Sequence, residues 1–299
     1  MPGWSNSYLV AGLHLDIVSS VGDASAYLPA AMREFAAPRP RDPDMTIDFH
    51  ADEKAQADPL RRFFPSQFTM ASTGGGLSFD GKEGKQESLG FISGSYAAAE
   101  LGLPVLDRPW RIPEEEEAVR EAIQAFVRAC LQCRLMEAGG TLVHAAGVTW
   151  DGGGFVFTGH TRAGKTTLSR DFPAEAVLGD DLVAVGKTPD GLALYGTPWP
   201  GREGGTVAYG GSPLRAVFHL HPELEPGLYP QSPGEALAEL ASNAPRLGYA
   251  GEESKLLGVF SSLVSAVPIY RLSLRLGDDA MPFLRQAIKE GGRDRSDRP

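Results

Sequence analysis

Residues 155–167 read Phe-Val-Phe-Thr-Gly-His-Thr-Arg-Ala-Gly-Lys-Thr-Thr, and this stretch decides the fold. Within it, Gly159 to Thr166 (GHTRAGKT) fits the phosphate-binding loop pattern G-x-x-x-x-G-K-[ST]. The pattern fixes few positions, so its context carries the reading. Phe155-Val156-Phe157 is a short buried strand, and Thr166-Thr167-Leu168 opens a helix, as the pattern requires. Two glycines let the backbone curl so that its N–H groups face phosphate oxygens. Lys165 brings a charge to the terminal phosphates and Thr166 offers a hydroxyl to Mg²⁺, with the positive end of the following helix behind them.

Upstream, Thr141 to Trp150 (TLVHAAGVTW) reads as a strand joined through Asp151-Gly152-Gly153 to the strand that feeds the loop, making a hairpin. His144 therefore lies on a strand beside Gly159. It is either a core histidine bonded to backbone or a functional one. Downstream, Pro173 closes a brief helix, and Ala176 to Val185 (AVLGDDLVAV) reads as a buried strand interrupted by Asp180-Asp181, 15 residues past Lys165. Two carboxylates in such a strand are costly unless they meet a cation, which Mg²⁺ on a nucleotide supplies. One would touch the metal and the other would accept the proton of an attacking hydroxyl. The alternative is a turn with two solvated aspartates. After a strand at Leu192 to Tyr195, the run Gly196 to Gly205 is either a cover for the phosphates, with Arg202 neutralising charge in transfer, or a plain connector.

The remainder of this half alternates strand and helix. Strands are expected at Leu214 to Leu220 and Val267 to Leu274, and helices at Pro233 to Ala241, Glu252 to Val264 and Ala280 to Glu290, ahead of a disordered tail over 291–299. His219 and His221 share a strand face at metal-ligand spacing, but no third ligand is evident. Glu114 to Met136 is strongly periodic, with Pro113 and the acidic run suited to its first turn, and is expected to pack against the sheet that carries the loop. Cys130 and Cys133 form a C-x-x-C inside it, with no second cysteine pair, and fit a helix face better than a redox or zinc site. Residues 1–112 read as a β-rich region: strands at Tyr8 to Val10, Leu13 to Val18 and Met45 to Phe49, a hairpin about Gly74-Gly75-Gly76, and a short helix over Ala24 to Phe35. His14 and His50 lack partners in this reading.

At 299 residues, 42% hydrophobic and 22% charged, the chain is globular in composition, with core enough for two unequal parts. A net charge of -10 gives no basic surplus for nucleic acid or an anionic membrane. No apolar run reaches the length of a membrane span and Met1 to Ser5 lacks the regions of a signal peptide, so the cytoplasm is the expected compartment.

The block Leu142 to Val185 resembles the catalytic domain of HPr kinase/phosphorylase, a distant cousin of the ATP-dependent phosphoenolpyruvate carboxykinases. The histidine-bearing strand (HAAGV), the glycine turn, the loop GHTRAGKT and the close Asp-Asp pair of LGDDLVAV carry the resemblance. GTPWPGREGG and VPIYRLSL look like later segments of shorter relatives. The resemblance implies an α/β fold: a P-loop kinase domain over 113–290, with a mixed β-sheet and flanking helices, preceded by the β-rich region of 1–112. It implies that Gly159, His160, Thr161, Arg162, Ala163, Gly164, Lys165, Thr166 and Thr167 hold the triphosphate of ATP. Thr166, Asp180 and Asp181 would lie at Mg²⁺, with the aspartates supplying metal contact and catalytic base in an unassigned order, and His144 near the phosphates. The implied activity is transfer of a γ-phosphoryl group to a hydroxyl, serine of a protein or peptide first and a small molecule second. Family members are often homo-oligomers. The longer glycine-rich signature after the acid pair of true HPr kinases is absent here. An ATP-binding regulatory module is the rival from another class, and a GTPase-type switch is disfavoured by the lack of an Asn-Lys-x-Asp motif.

Overall fold

The computed structural model describes residues 3–57, 68–81, 88–160, 162–200, 207–275 and 277–296, and side chains up to Lys289. The chain divides into two compact units, Met1–Glu137 with Arg246–Glu253, and Ala138–Pro245 with Ser254–Pro299. The boundary expected at 112/113 is thus displaced to 137/138, and a short later segment returns to the first unit.

The first unit contains β1 (Trp4–Val10), β2 (Leu13–Ser19), β3 (Met45–Ala51), β4 (Phe68–Ser72), β5 (Gly76–Gly81), β6 (Gly90–Ser93) and β7 (Ala98–Leu103), in the sheet order β1-β2-β3-β7-β6-β5-β4. The β2–β3 and β3–β7 pairs are parallel and the remaining pairs are antiparallel, so the sheet is mixed. Alternation in β3 buries Met45, Ile47 and Phe49 and leaves Asp48 exposed. The expected helix over 24–35 is instead two 3-10 turns, Ser25–Tyr27 and Ala30–Phe35. Pro29, at the start of the second, withholds the N–H that a continuous helix needs.

The Pro113–Glu137 helix belongs to this unit, contrary to the expectation that it packs on the loop's sheet. Its Phe126 meets Phe79 of β5 edge-on at 5.0 Å, and Val119, Ile123, Val127 and Cys130 on the same stripe are fully buried. Cys130 and Cys133 form no disulfide and are buried on it, as a helix face requires, and burial pushes the Cys130 thiol well up. The acidic first turn does more than complement the dipole: Glu115 is 2% exposed and its Oε1 lies 2.6 Å from Arg111 Nε.

The second unit contains β8 (Thr141–Trp150), β9 (Gly153–Thr158), β10 (Val177–Gly179), β11 (Leu182–Thr188), β12 (Gly191–Gly196), β13 (Gly211–Leu220), β14 (Gly227–Pro230) and β15 (Ile269–Ser273). Asp151 (φ 49°) and Gly152 (φ 69°) form the turn of the β8–β9 hairpin, both central residues left-handed as a tight, twisted hairpin demands. β9, β13 and β15 are parallel, so their C-terminal ends, including the one that opens into the loop, share one edge. The aromatic row Phe157, Phe218 and Tyr270 forms the core of one face, with ring centroids 5.1 and 5.9 Å apart. Leu168, Phe172, Leu284 and Ala287 cover it from the helices Lys165–Ser169 and Met281–Ser296 and the turn after the first.

Two expectations are corrected here. The strand over 176–185 is broken: β10 and β11 both pair with β8, and Asp180-Asp181 form the bend between them. A continuous ladder would have forced one carboxylate into each face of a buried strand, whereas the bend frees Asp181 toward solvent. The last helix continues to Ser296, through Gly291-Gly292, where a disordered tail was expected; 297–299 lie outside the described residues.

Candidate active site

The loop leaves β9 at Gly159, whose φ is 150° and where an added Cβ would sit 3.1 Å from both the Leu220 carbonyl and Ala163 Cβ. Close approach and a φ that side chains rarely adopt both favour glycine there. At Gly164 the cause differs: φ is 102° with open space around it, so the conformation alone selects glycine. Gly164 then caps the short helix Lys165–Ser169, and Leu168 N–H closes the first turn on its carbonyl at 2.9 Å. Arg162 also takes a positive φ, 72°. With only five residues, the helix adds little macrodipole. The loop's own N–H groups and Lys165 are left as the electropositive elements.

The Lys165 side chain is turned back along the loop. Its Nζ donates to the carbonyls of Gly159 (2.8 Å) and His160 (3.2 Å), and it is 8% exposed. Burial lowers its pKa, and the opposing pull comes from Asp181, which brings the loop's cation within electrostatic reach of the acid pair. His160 and Thr167 are exposed, and Thr166 is half-buried.

The two aspartates differ sharply. Asp180 is 7% exposed, and its Oδ1 is buried with no hydrogen-bond partner. Asp181 is 39% exposed, with Oδ1 3.3 Å from His144 Nδ1. His144 pairs with Leu182 across β8–β11, and the Asp181 carbonyl accepts the Ala145 N–H at 2.9 Å, so backbone register brings the histidine and the acid together. A buried carboxylate oxygen without a donor is the kind of group that a divalent cation satisfies, so Asp180 fits a metal contact. Among the described residues no group of three or more His, Cys, Asp or Glu is arranged to hold a metal, and a cation carried on phosphates needs no such group.

Arg202 and Thr161 lie outside the described residues. The described start of the 196–205 run is anchored: Thr197 Oγ1 donates to the Leu182 carbonyl at 2.7 Å, and Trp199 is 7% exposed with its Nε1 unpartnered. Beside the loop, an open cavity of about 200 Å³ is lined by Arg162, Gly164, Thr167, Leu220, Leu274 and Arg275, among others. The sequence reading did not anticipate this cavity, because its walls come from segments a hundred residues apart.

Comparison with known proteins adds a distant likeness in fold. No family model matches the chain, and no curated protein matches it. The HPr(Ser) kinase/phosphatase from Coxiella burnetii is a solved structure similar to it, with a TM-score of 0.31 and 14% identity, covering 52% of this chain and 92% of that one. A likeness of that size carries no argument about activity. No helix among the described residues is long and apolar enough to cross a membrane.

Proposed function

We propose that the chain is a Mg·ATP-dependent kinase that transfers the γ-phosphoryl group to a hydroxyl, the serine of a protein or peptide. The observation that carries this reading is the division of labour in the acid pair beside the loop: one aspartate buried with an unpartnered oxygen, its neighbour half-exposed against a histidine and within reach of Lys165. Mere binding of a nucleotide calls for one acidic group near the metal; proton transfer calls for a second that solvent and substrate can reach.

In this scheme the loop amides and Lys165 would hold the phosphates, and Asp180 with the Thr166 hydroxyl would hold a divalent cation that would supply neutralisation of phosphate charge. Asp181, oriented by His144, accepts the proton of the acceptor hydroxyl as its oxygen bonds to phosphorus and the bridging bond to ADP breaks. Lys165, its Nζ released from the loop carbonyls, meets the charge that accumulates on the leaving oxygen. The nucleoside takes the cavity between Thr167 and Leu274. That leaves the His144–Asp181 side of the loop to the acceptor, whose preference for peptidyl serine rests on the resemblance of the motifs.

The test is transfer of labelled γ-phosphate by purified protein with Mg²⁺ and peptide or metabolite pools, read by mass spectrometry, beside Lys165→Ala. Label on peptidyl serine that vanishes in the variant supports the reading. Label only on small molecules moves the acceptor class, and tight ATP binding with no transfer makes the chain a regulatory module.

A further inference from the structure

The two faces of β13 and β15 carry different chemistry. Phe218, Leu220, Tyr270 and Leu272 enter the aromatic core beneath the loop's helix, so the alternating His219, His221 and Arg271 turn to the opposite face. There all three converge on one carboxylate, Glu239 of the Pro233–Ser242 helix. Its Oε1 accepts from Arg271 Nη2 (2.9 Å) and Nε (3.1 Å) and from Gln231 Nε2 (2.7 Å). Its Oε2 lies 2.9 Å from His221 Nε2 and 3.0 Å from His219 Nδ1. The histidine pair with metal-ligand spacing thus shares a carboxylate instead.

Such a knot fixes geometry that packing alone would leave loose. The ten-residue helix buries only Ala236 and Leu240, too little apolar surface to set its position along the sheet. Four hydrogen bonds to one side chain do set it, with His219 held beside it by Gln231, whose Oε1 lies 2.6 Å from His219 Nδ1.

The same helix end reaches the candidate active site. The Glu239 carbonyl accepts from Asn243 Nδ2 at 2.8 Å, and the carbonyl of Asn243, the C-cap, accepts the backbone N–H of His144 at 3.1 Å. The His144 carbonyl in turn accepts from Thr158 Oγ1 at 3.2 Å, and Thr158 pairs with His219 across β9–β13. Both main-chain polar groups of His144 are therefore held by residues that the knot fixes.

We propose that Glu239 is a positioning residue: by tying the Pro233–Ser242 helix to His219, His221 and Arg271, it sets the backbone of His144 and hence the His144–Asp181 pair. This rests on the reading of that pair as the proton-transfer site, but its geometric core is separable from activity.

The test compares wild type with Glu239→Gln and Asn243→Ala. The latter removes the hydrogen bond from Asn243 Nδ2 to the Glu239 carbonyl without touching the charged groups, and serves if the first variant folds poorly. The His144 ring resonances, assigned by their loss in His144→Gln, are followed by NMR, together with nucleotide affinity, kcat and KM. The expected result is displaced His144 signals in both variants, as in Asp181→Asn, with kcat down by up to about 100-fold and nucleotide affinity unchanged. Unmoved His144 signals in a folded variant overturn the proposal, as does a loss confined to nucleotide affinity. If the wild type transfers no phosphate, the kinase reading fails, while the resonances still decide whether Glu239 positions His144.

Discussion

Asp180→Asn separates the structural burden of the acid pair from its use. Asp180 is 93% buried by its 7% exposure, and Oδ1 has no donor. Leaving a buried polar atom unpaired costs about 1–3 kcal/mol, more when it is charged. The neutral amide removes the charged part, so without ligand the variant should be more stable than wild type by about 1 kcal/mol. That corresponds to a rise of about 2–4 °C for a unit of this size. With Mg²⁺ and a non-hydrolysable ATP analogue at about 100 times Kd, wild type gains about 2.7 kcal/mol, and the variant should lose most of that gain. Differential scanning calorimetry with and without Mg²⁺ reads both numbers. A variant that is less stable alone, yet keeps the Mg²⁺-dependent gain, would refute the idea that Asp180 is buried for a cation.

Three other perturbations probe separate links. Gly164→Ala meets no steric obstacle, so its cost is conformational: a residue with φ near 102° loses about 1–3 kcal/mol, with weakened nucleotide affinity measured by calorimetry. Full affinity in a stable variant would contradict the loop geometry. Phe126→Ala removes a fully buried ring that meets Phe79, and urea unfolding should show a loss of about 3–5 kcal/mol; under 1 kcal/mol would place the helix elsewhere. At His221 burial disfavours the charge, but bonds to Glu239 and Glu223 outweigh it and raise the pKa. Its stabilisation is therefore fully present below the unfolded value of about 6.5 and is lost as pH rises through the folded one. Melting temperature should fall from about pH 6 to pH 8.5 more steeply in wild type than in His221→Gln; parallel curves would count against the charged bond.

What the sequence made legible was local. The hairpin turn, the glycines of the loop and the brevity of its helix are written in Asp151-Gly152, Gly159, Gly164 and Pro173, each of which acts through its own backbone. Alternation placed β3 and β15, and periodicity placed the Pro113–Glu137 helix. The partner of that helix was not legible, since an apolar stripe of Val119, Ile123 and Phe126 suits either sheet equally. Nor was the fate of the acid pair. Apolar residues on both sides of Asp180-Asp181 read as one strand, and only the pairing of β10 and β11 with different parts of β8 shows which carboxylate is buried. Glu239 left no signal, because Arg271, His219 and Gln231 come to it from outside its own helix, Arg271 from 32 residues away, and no helical or strand spacing encodes their meeting.

The central claim is that Asp181 takes the proton of an acceptor hydroxyl. Single-turnover transfer of labelled γ-phosphate by wild type and Asp181→Asn, each saturated with Mg·ATP, tests it most directly. The account predicts unchanged nucleotide affinity and a loss of the transfer rate of about 100- to 10,000-fold in the variant. Equal rates, or a loss traceable wholly to weaker ATP binding, would contradict it.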